Sequence, residues 1–204
     1  MFITQRNSRW KTVGGNSRGK IFIGGKCVGG NWLKLGVDKK EVSCYTKSNK
    51  KRRLMKTKRE RAIEIANGAF AKARYGTHPY IYHLNGVAEM SEKYAPTNKD
   101  THYIVGMLHD LLEDFPDYIS YMDLIGEFGT DILISLDFLT KRDSETYMEY
   151  IERCSYDKIA EHVKICDLLF NSQHMEELRD SPHKLFLLER YNKALIYMAG
   201  KKEW

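Results

Sequence analysis

From Arg61 onward, apolar residues recur at helical spacing. Ala62, Ile63, Ile65, Ala66, Ala69, Phe70 and Ala73 make a stripe with the period of an amphipathic helix. Tyr75-Gly76-Thr77-His78-Pro79 interrupts it. A second helix is predicted from about Tyr80 to Tyr94, with His83, Val87 and Met90 along it. Pro96-Thr97-Asn98 ends that helix, and Thr101 or a neighbour is placed to cap a third, over 101–114. Residues 117–139 read as one helix or two, with a break at Phe128-Gly129. Further helices are predicted over 144–153, 156–178 and 182–199. No strand-like alternation follows residue 60. Residues 56–204 therefore read as an all-α helical bundle.

The first 55 residues follow a different pattern. They are Gly-rich, with short β-prone pieces at Lys20-Ile21-Phe22-Ile23 and Trp32-Leu33-Lys34-Leu35 between glycine pairs. A small β-hairpin or a loose arm is expected there. Charge divides the chain near the same place. Residues 1–61 hold 18 Lys and Arg against 3 Asp and Glu, whereas 62–204 hold 15 against 24. The overall +6 is thus the sum of a basic arm and an acidic domain. With Trp10, Phe22, Trp32 and Tyr45 among its charges, the arm suits nucleic-acid contact, a protein partner, or simple solvation. Gly14-Gly15-Asn16-Ser17-Arg18-Gly19-Lys20 matches the outline of a phosphate-binding loop. Ile21 stands where that loop needs Ser or Thr, and a strand follows where it needs a helix, so no such loop is assigned.

No apolar run is long enough to span a membrane, and the first residues lack the apolar core of a signal peptide. Cys27, Cys44, Cys154 and Cys166 form no CxxC pair. Reduced thiols and a cytoplasmic location are expected.

Two apolar runs carry charge at their centres. Met107-Leu108-His109-Asp110-Leu111-Leu112 holds a His-Asp pair, and Ile165-Cys166-Asp167-Leu168-Leu169-Phe170 holds an aspartate. Buried charge is costly unless it is paired or bound to metal. His83 on an earlier helix adds another imidazole. Two imidazoles and two carboxylates on three helices can converge on one divalent cation inside a bundle, with positions left for water and substrate. Glu113 and Asp114 lie one turn beyond the pair, each at i+4 from His109 or Asp110. A carboxylate beside a metal can orient a water or take its proton. Two acids at a helix C-terminus also oppose the helix dipole, which favours a functional role over a structural one.

His83, then His109-Asp110, then Asp167 is the ligand order of metal-dependent HD phosphohydrolases. The blocks around these residues resemble the HD hydrolase domain of RelA/SpoT enzymes, including the small stand-alone alarmone hydrolases. They are Arg74 to His83, Gly106 to Asp114, Phe128-Gly129, Leu139-Thr140-Lys141, and Val163 to Asn171. The resemblance implies an HD-domain bundle with Mn²⁺, or another divalent transition metal, held by His83, His109, Asp110 and Asp167. It implies Glu113 and Asp114 as the pair that activates water. It also implies a substrate rim with Arg74 stacked on a guanine base, Asn171 beside base and ribose, and Tyr80 and Lys141 nearby. The implied reaction removes the 3′-pyrophosphate of (p)ppGpp.

The chain departs from that pattern at four positions. Tyr75 stands in place of a second basic residue, Leu84 in place of proline, Leu168 in place of a basic residue, and Gln173 in place of arginine. Each change removes charge or rigidity near the nucleotide. Two rival functions follow: an HD-type nucleotidase or deoxynucleotide hydrolase, and a non-catalytic module that senses a nucleotide. The intact ligand set and the Glu113-Asp114 pair favour the pyrophosphohydrolase.

Overall fold

The computed structural model describes residues 56–175 and 182–200. The expected glycine-rich hairpin, the basic arm and the sequence resembling a phosphate-binding loop lie outside the described residues. Helix α1 spans Lys58–Ala69. It starts where the sequence supplies a reciprocal cap: the Thr57 hydroxyl accepts from the Glu60 N–H, and the Glu60 carboxylate accepts from the Thr57 N–H at 2.7 Å. A short antiparallel pair follows, β1 (Arg74–Tyr75) and β2 (His78–Pro79), turning at Gly76 with φ +56°. No alternation had predicted these strands, because two residues are too few to show a period. Helix α2 (Ile81–Tyr94) comes next.

The predicted third helix is divided. Helix α3 (Lys99–Leu108) stops one residue before the His-Asp pair, and α4 (Leu111–Asp114) resumes after it. His109 and Asp110 form the joint, where Asp110 has φ −93° and ψ −3°. The start of α3 also differs from expectation. Asn98, in the left-handed region at φ 48°, occupies the cap position and makes no side-chain capping bond. Helices α5 (Tyr121–Phe128) and α6 (Thr130–Leu139) part at Gly129, as the Phe128-Gly129 signal predicted. Helix α7 (Tyr147–Cys154) has a second reciprocal cap, from Thr146 and Glu149. Helices α8 (Lys158–Gln173) and α9 (Pro182–Gly200) complete the described chain.

Helices α2, α3 and α8 form the centre. Helix α1 packs on α3, α6 spans α3 and α8, and α7 and α9 pack on α8. Every residue of α3 from His102 to Leu108 is buried. Two glycines allow this packing. A Cβ on Gly106 of α3 would come within 2.8 Å of Ala88 Cα on α2, and a Cβ on Gly86 of α2 would overlap the Phe170 ring on α8. The three helices bearing the predicted ligands thus meet at very short range. The result is an all-α bundle with one minimal strand pair among the described residues. None of its helices is long and apolar enough to cross a membrane.

Candidate metal centre

His83 projects from the first turn of α2, His109 and Asp110 from the α3–α4 joint, and Asp167 from the middle of α8. Their donor atoms converge. His83 Nε2 lies 3.3 Å from His109 Nε2, 3.6 Å from Asp110 Oδ2 and 3.4 Å from Asp167 Oδ1. His109 Nε2 lies 3.0 Å from Asp110 Oδ2 and 3.7 Å from Asp167 Oδ1. An ion with bonds of about 2.1 Å at right angles sets neighbouring ligand atoms about 3 Å apart. His83, His109 and Asp110 form the tightest group, with donor atoms all within 4.8 Å of one another. Asp167 approaches both imidazoles from the third helix.

The third helix is interrupted at these two adjacent residues, although both keep backbone angles in the right-handed helical region. On one regular helix, His109 and Asp110 would diverge by about 100°. Both nevertheless bring a donor atom to His83, so the ion's place lies close against this stretch of chain.

The surrounding side chains fix these groups. His109 Nδ1 lies 2.7 Å from the Gly106 carbonyl, which turns Nε2 toward the other donors. The Tyr80 hydroxyl donates to Asp110 Oδ2 at 2.8 Å. Lys164 Nζ donates to Asp167 Oδ2 at 2.7 Å, and Asn171 Nδ2 donates to Asp167 Oδ1 at 2.7 Å. The Tyr75 ring lies parallel to the His83 imidazole, centroids 4.8 Å apart, and its hydroxyl donates to Asn171 Oδ1 at 2.9 Å.

Electrostatics favour positive charge at this point. Burial opposes ionisation of Asp110, but the facing imidazoles outweigh it and hold the carboxyl well below its usual range. For Asp167, burial is outweighed by Lys164 together with His109 and His83. Burial also opposes charge on His109, yet Asp110 and Asp167 push its imidazole up to about 10. Two ionised carboxylates facing two imidazole nitrogens are a donor set of the kind divalent transition metals take. The residues fit such an ion.

Glu113 and Asp114 follow in α4, near enough to Asp110 to feel its charge. Both residues are exposed overall, while their carboxyls sit deep enough for burial to be the largest influence on them. Burial raises the Glu113 carboxyl, against a hydrogen bond to Glu113 Oε2 from the Lys141 backbone N–H at 3.0 Å. Burial, then the charges of Asp110 and Glu113, push Asp114 up to about 7. An acid poised near neutrality beside a cluster of metal donors has the property a proton-transfer group needs.

The predicted rim residues are less concentrated. Tyr80 and Asn171 touch metal-site carboxylates directly. Lys141 reaches the site through its backbone, while its Nζ donates to the Arg142 carbonyl at 3.2 Å. Arg74 is exposed and its guanidinium donates to the Thr77 carbonyl within its own hairpin. Sequence reasoning passed over Lys164. Its position three residues before Asp167, inside the apolar stretch Val163–Ile165, was the available signal. Tyr75 registered only as a missing positive charge, yet it contacts the site. Leu168 is fully buried, so the position after Asp167 belongs to the core.

No family model matches the chain, and no curated protein matches its sequence. Among solved structures, the chain is similar to a metazoan ortholog of SpoT that hydrolyzes ppGpp and plays a role in starvation responses. The TM-score is 0.59 at 19% sequence identity, over 71% of this chain and 86% of the other. The two share a fold.

Proposed function

We propose that this chain is a divalent-metal-dependent hydrolase that removes the 3′-pyrophosphate of (p)ppGpp or a closely similar nucleotide, with Mn²⁺ as the metal. The observation behind this is the convergence of His83, His109, Asp110 and Asp167, with a second acidic pair, Glu113 and Asp114, within electrostatic reach of Asp110. The fold shared with a ppGpp hydrolase supports the substrate class. A reducing, cytoplasmic setting belongs to the same proposal, and the buried thiols Cys154 and Cys166 are free.

His83, His109, Asp110 and Asp167 would hold the ion. When bound, it offsets phosphate charge and lowers the pKa of water. In the reaction, a water oxygen bonds to the phosphorus next to the ribose, and the bond from that phosphorus to the 3′ oxygen breaks. The water's proton must leave and the 3′ oxygen must gain one. Asp114, titrating near neutrality, is assigned the water's proton. Glu113, held by the Lys141 N–H, is assigned to orient the water. Arg74 is assigned to the base, where a guanidinium plane stacks well. Tyr80 keeps Asp110 in place.

The neutral side chain of Tyr75 favours one second reading, a nucleotidase of the same fold acting on a less highly charged nucleotide. One experiment separates them. Protein loaded with Mn²⁺ is incubated with ppGpp, GTP, deoxynucleoside triphosphates and nucleoside monophosphates, and the products are resolved. Pyrophosphate from ppGpp alone supports the first reading. Orthophosphate from a monophosphate supports the second, and turnover of none leaves a nucleotide-sensing module.

A further inference from the structure

We infer that Tyr75 is a positioning residue of the metal centre, acting through Asn171 on Asp167. The inference rests on the metal-site part of the proposed function and not on the identity of the substrate. Three distances define the linkage. The Tyr75 hydroxyl donates to Asn171 Oδ1 at 2.9 Å, Asn171 Nδ2 donates to Asp167 Oδ1 at 2.7 Å, and Asp167 Oδ1 faces His83 Nε2 at 3.4 Å.

The linkage has a definite polarity. A carboxylate only accepts, so the Asn171 end that meets Asp167 is the amide nitrogen. The amide oxygen must then point the other way, where Tyr75 supplies the donor. Losing the Tyr75 hydroxyl would free the amide to rotate and release Asp167 Oδ1. Tyr75 also acts on a second ligand. Its ring covers the His83 imidazole with planes 12° apart, and His83 Nδ1 is buried with no hydrogen-bond partner among the described residues. His109 is oriented by the Gly106 carbonyl, and His83 has no counterpart to that contact on Nδ1. Packing against Tyr75, with Phe170 edge-on at 5.4 Å, sets its ring plane instead. A tyrosine on the β1–β2 hairpin thus contacts one ligand directly and a second through one intermediary.

Asn171 accordingly serves the metal centre first. Its amide oxygen and one N–H are already committed before any nucleotide arrives.

The test is Mn²⁺ affinity of the full chain, read from the electron paramagnetic resonance of free Mn²⁺ during titration of metal-free protein. Tyr75→Phe keeps the ring over His83 and removes only the hydroxyl. Its expected effect is a loss of Mn²⁺ affinity of about tenfold, the low end for removing an outer partner of a metal ligand. Metal-free circular dichroism and melting should stay as in the wild type. Asn171→Ala should lose at least as much affinity, and adding Tyr75→Phe to it should cost little further, because the proposed route from the hydroxyl to Asp167 runs through Asn171. Wild-type affinity in Tyr75→Phe overturns the inference, and so do additive losses in the double variant. Failure of the proposed substrate would look different. Wild-type protein would then bind Mn²⁺ with this same pattern of losses and leave ppGpp intact. A wild-type chain that binds no Mn²⁺ overturns both.

Discussion

Lys164 and Asp167 form an ion pair of 2.7 Å inside the bundle, with side chains 12% and 6% exposed. They lie one helical turn apart on α8. Asp167 therefore has one oxygen committed to an ammonium group and the other directed at the imidazoles. Burial disfavours charge on Lys164, yet Asp167 holds its pKa well above the ordinary value. The pair supplies the metal centre with a fixed carboxylate and leaves the charge of Asp167 largely offset before any cation binds.

Lys164→Met keeps most of the side-chain volume and leaves Asp167 Oδ2 without its cation. Breaking one partner from a buried pair costs about 3–5 kcal/mol. Metal-free protein should therefore unfold at markedly lower denaturant. Saturating Mn²⁺ should recover part of the loss, since a ligand that binds only the folded state adds stability by mass action. Urea melts with and without Mn²⁺ measure both effects. A variant as stable as the wild type without metal would show the pair to be dispensable.

Asp114 gives a prediction with a definite pH sign. Its folded pKa, about 7, lies above the value of an unfolded aspartate. Between those values the folded state binds more protons than the unfolded state, so stability falls as pH rises through this range. Asp114→Asn removes that penalty. The metal-free variant should melt higher than the wild type at pH 8, by about 2 °C or more, and show little difference at pH 4. Turnover should drop by about 100-fold or more while Mn²⁺ affinity stays close to wild type. Paired melting curves and a metal titration check this, and retained turnover would remove Asp114 from its assigned role.

Arg153 governs the loop that reaches Glu113. Its guanidinium donates to both Glu145 oxygens, at 2.6 and 3.0 Å, and to the carbonyls of Asp137, Phe138 and Thr140. The adjacent Lys141 N–H holds Glu113. Burial would raise the Glu145 carboxyl, but Arg153 outweighs it and lowers the pKa. The stability Glu145 contributes is thus fully present above its unfolded pKa and is lost as pH falls through the folded one. Arg153→Met should cost about 3–5 kcal/mol near neutral pH. The gap from wild type should narrow in acid, below the usual carboxylate range. Turnover should fall with it, because Glu113 loses its anchor. Urea melts at pH 7 and pH 3 measure the narrowing.

Much of this was legible in the sequence because burial leaves a pattern. The stripes of α1, α2 and α8 and the Phe128-Gly129 break lie in the elements periodicity placed, but α1 ends at Ala69, before Ala73, and α8 ends at Gln173, five residues short of the expected 178. His109-Asp110 and Asp167 announced themselves as charge inside apolar runs. The division of α3 from α4 was not legible, since Leu108 to Asp114 is helix-compatible throughout. The β1–β2 pair was too short to read. The contacts of Tyr75 were hidden for another reason. A residue's partner across helices depends on packing, and a position that looks like a lost positive charge can hold a ring that covers a ligand.

Gly106→Ala tests how tightly the site depends on the close approach of α2 and α3. The new Cβ would meet Ala88 Cα at 2.8 Å and the Ser91 hydroxyl at 3.3 Å. The first contact is with backbone, so the helices themselves must separate. Overpacking of this kind costs about 1–3 kcal/mol. The same residue supplies the carbonyl that lies 2.7 Å from His109 Nδ1, and His83 sits on the helix being pushed away. Separation therefore widens the 3.3 Å approach of the two imidazoles. Mn²⁺ affinity should fall by about tenfold or more, beyond what the stability loss alone produces in a protein that is still fully folded. Measuring affinity at a temperature well below the melting point of the variant separates the two effects. Unchanged affinity in a destabilised but folded Gly106→Ala protein would show that the ligands tolerate a wider helix spacing.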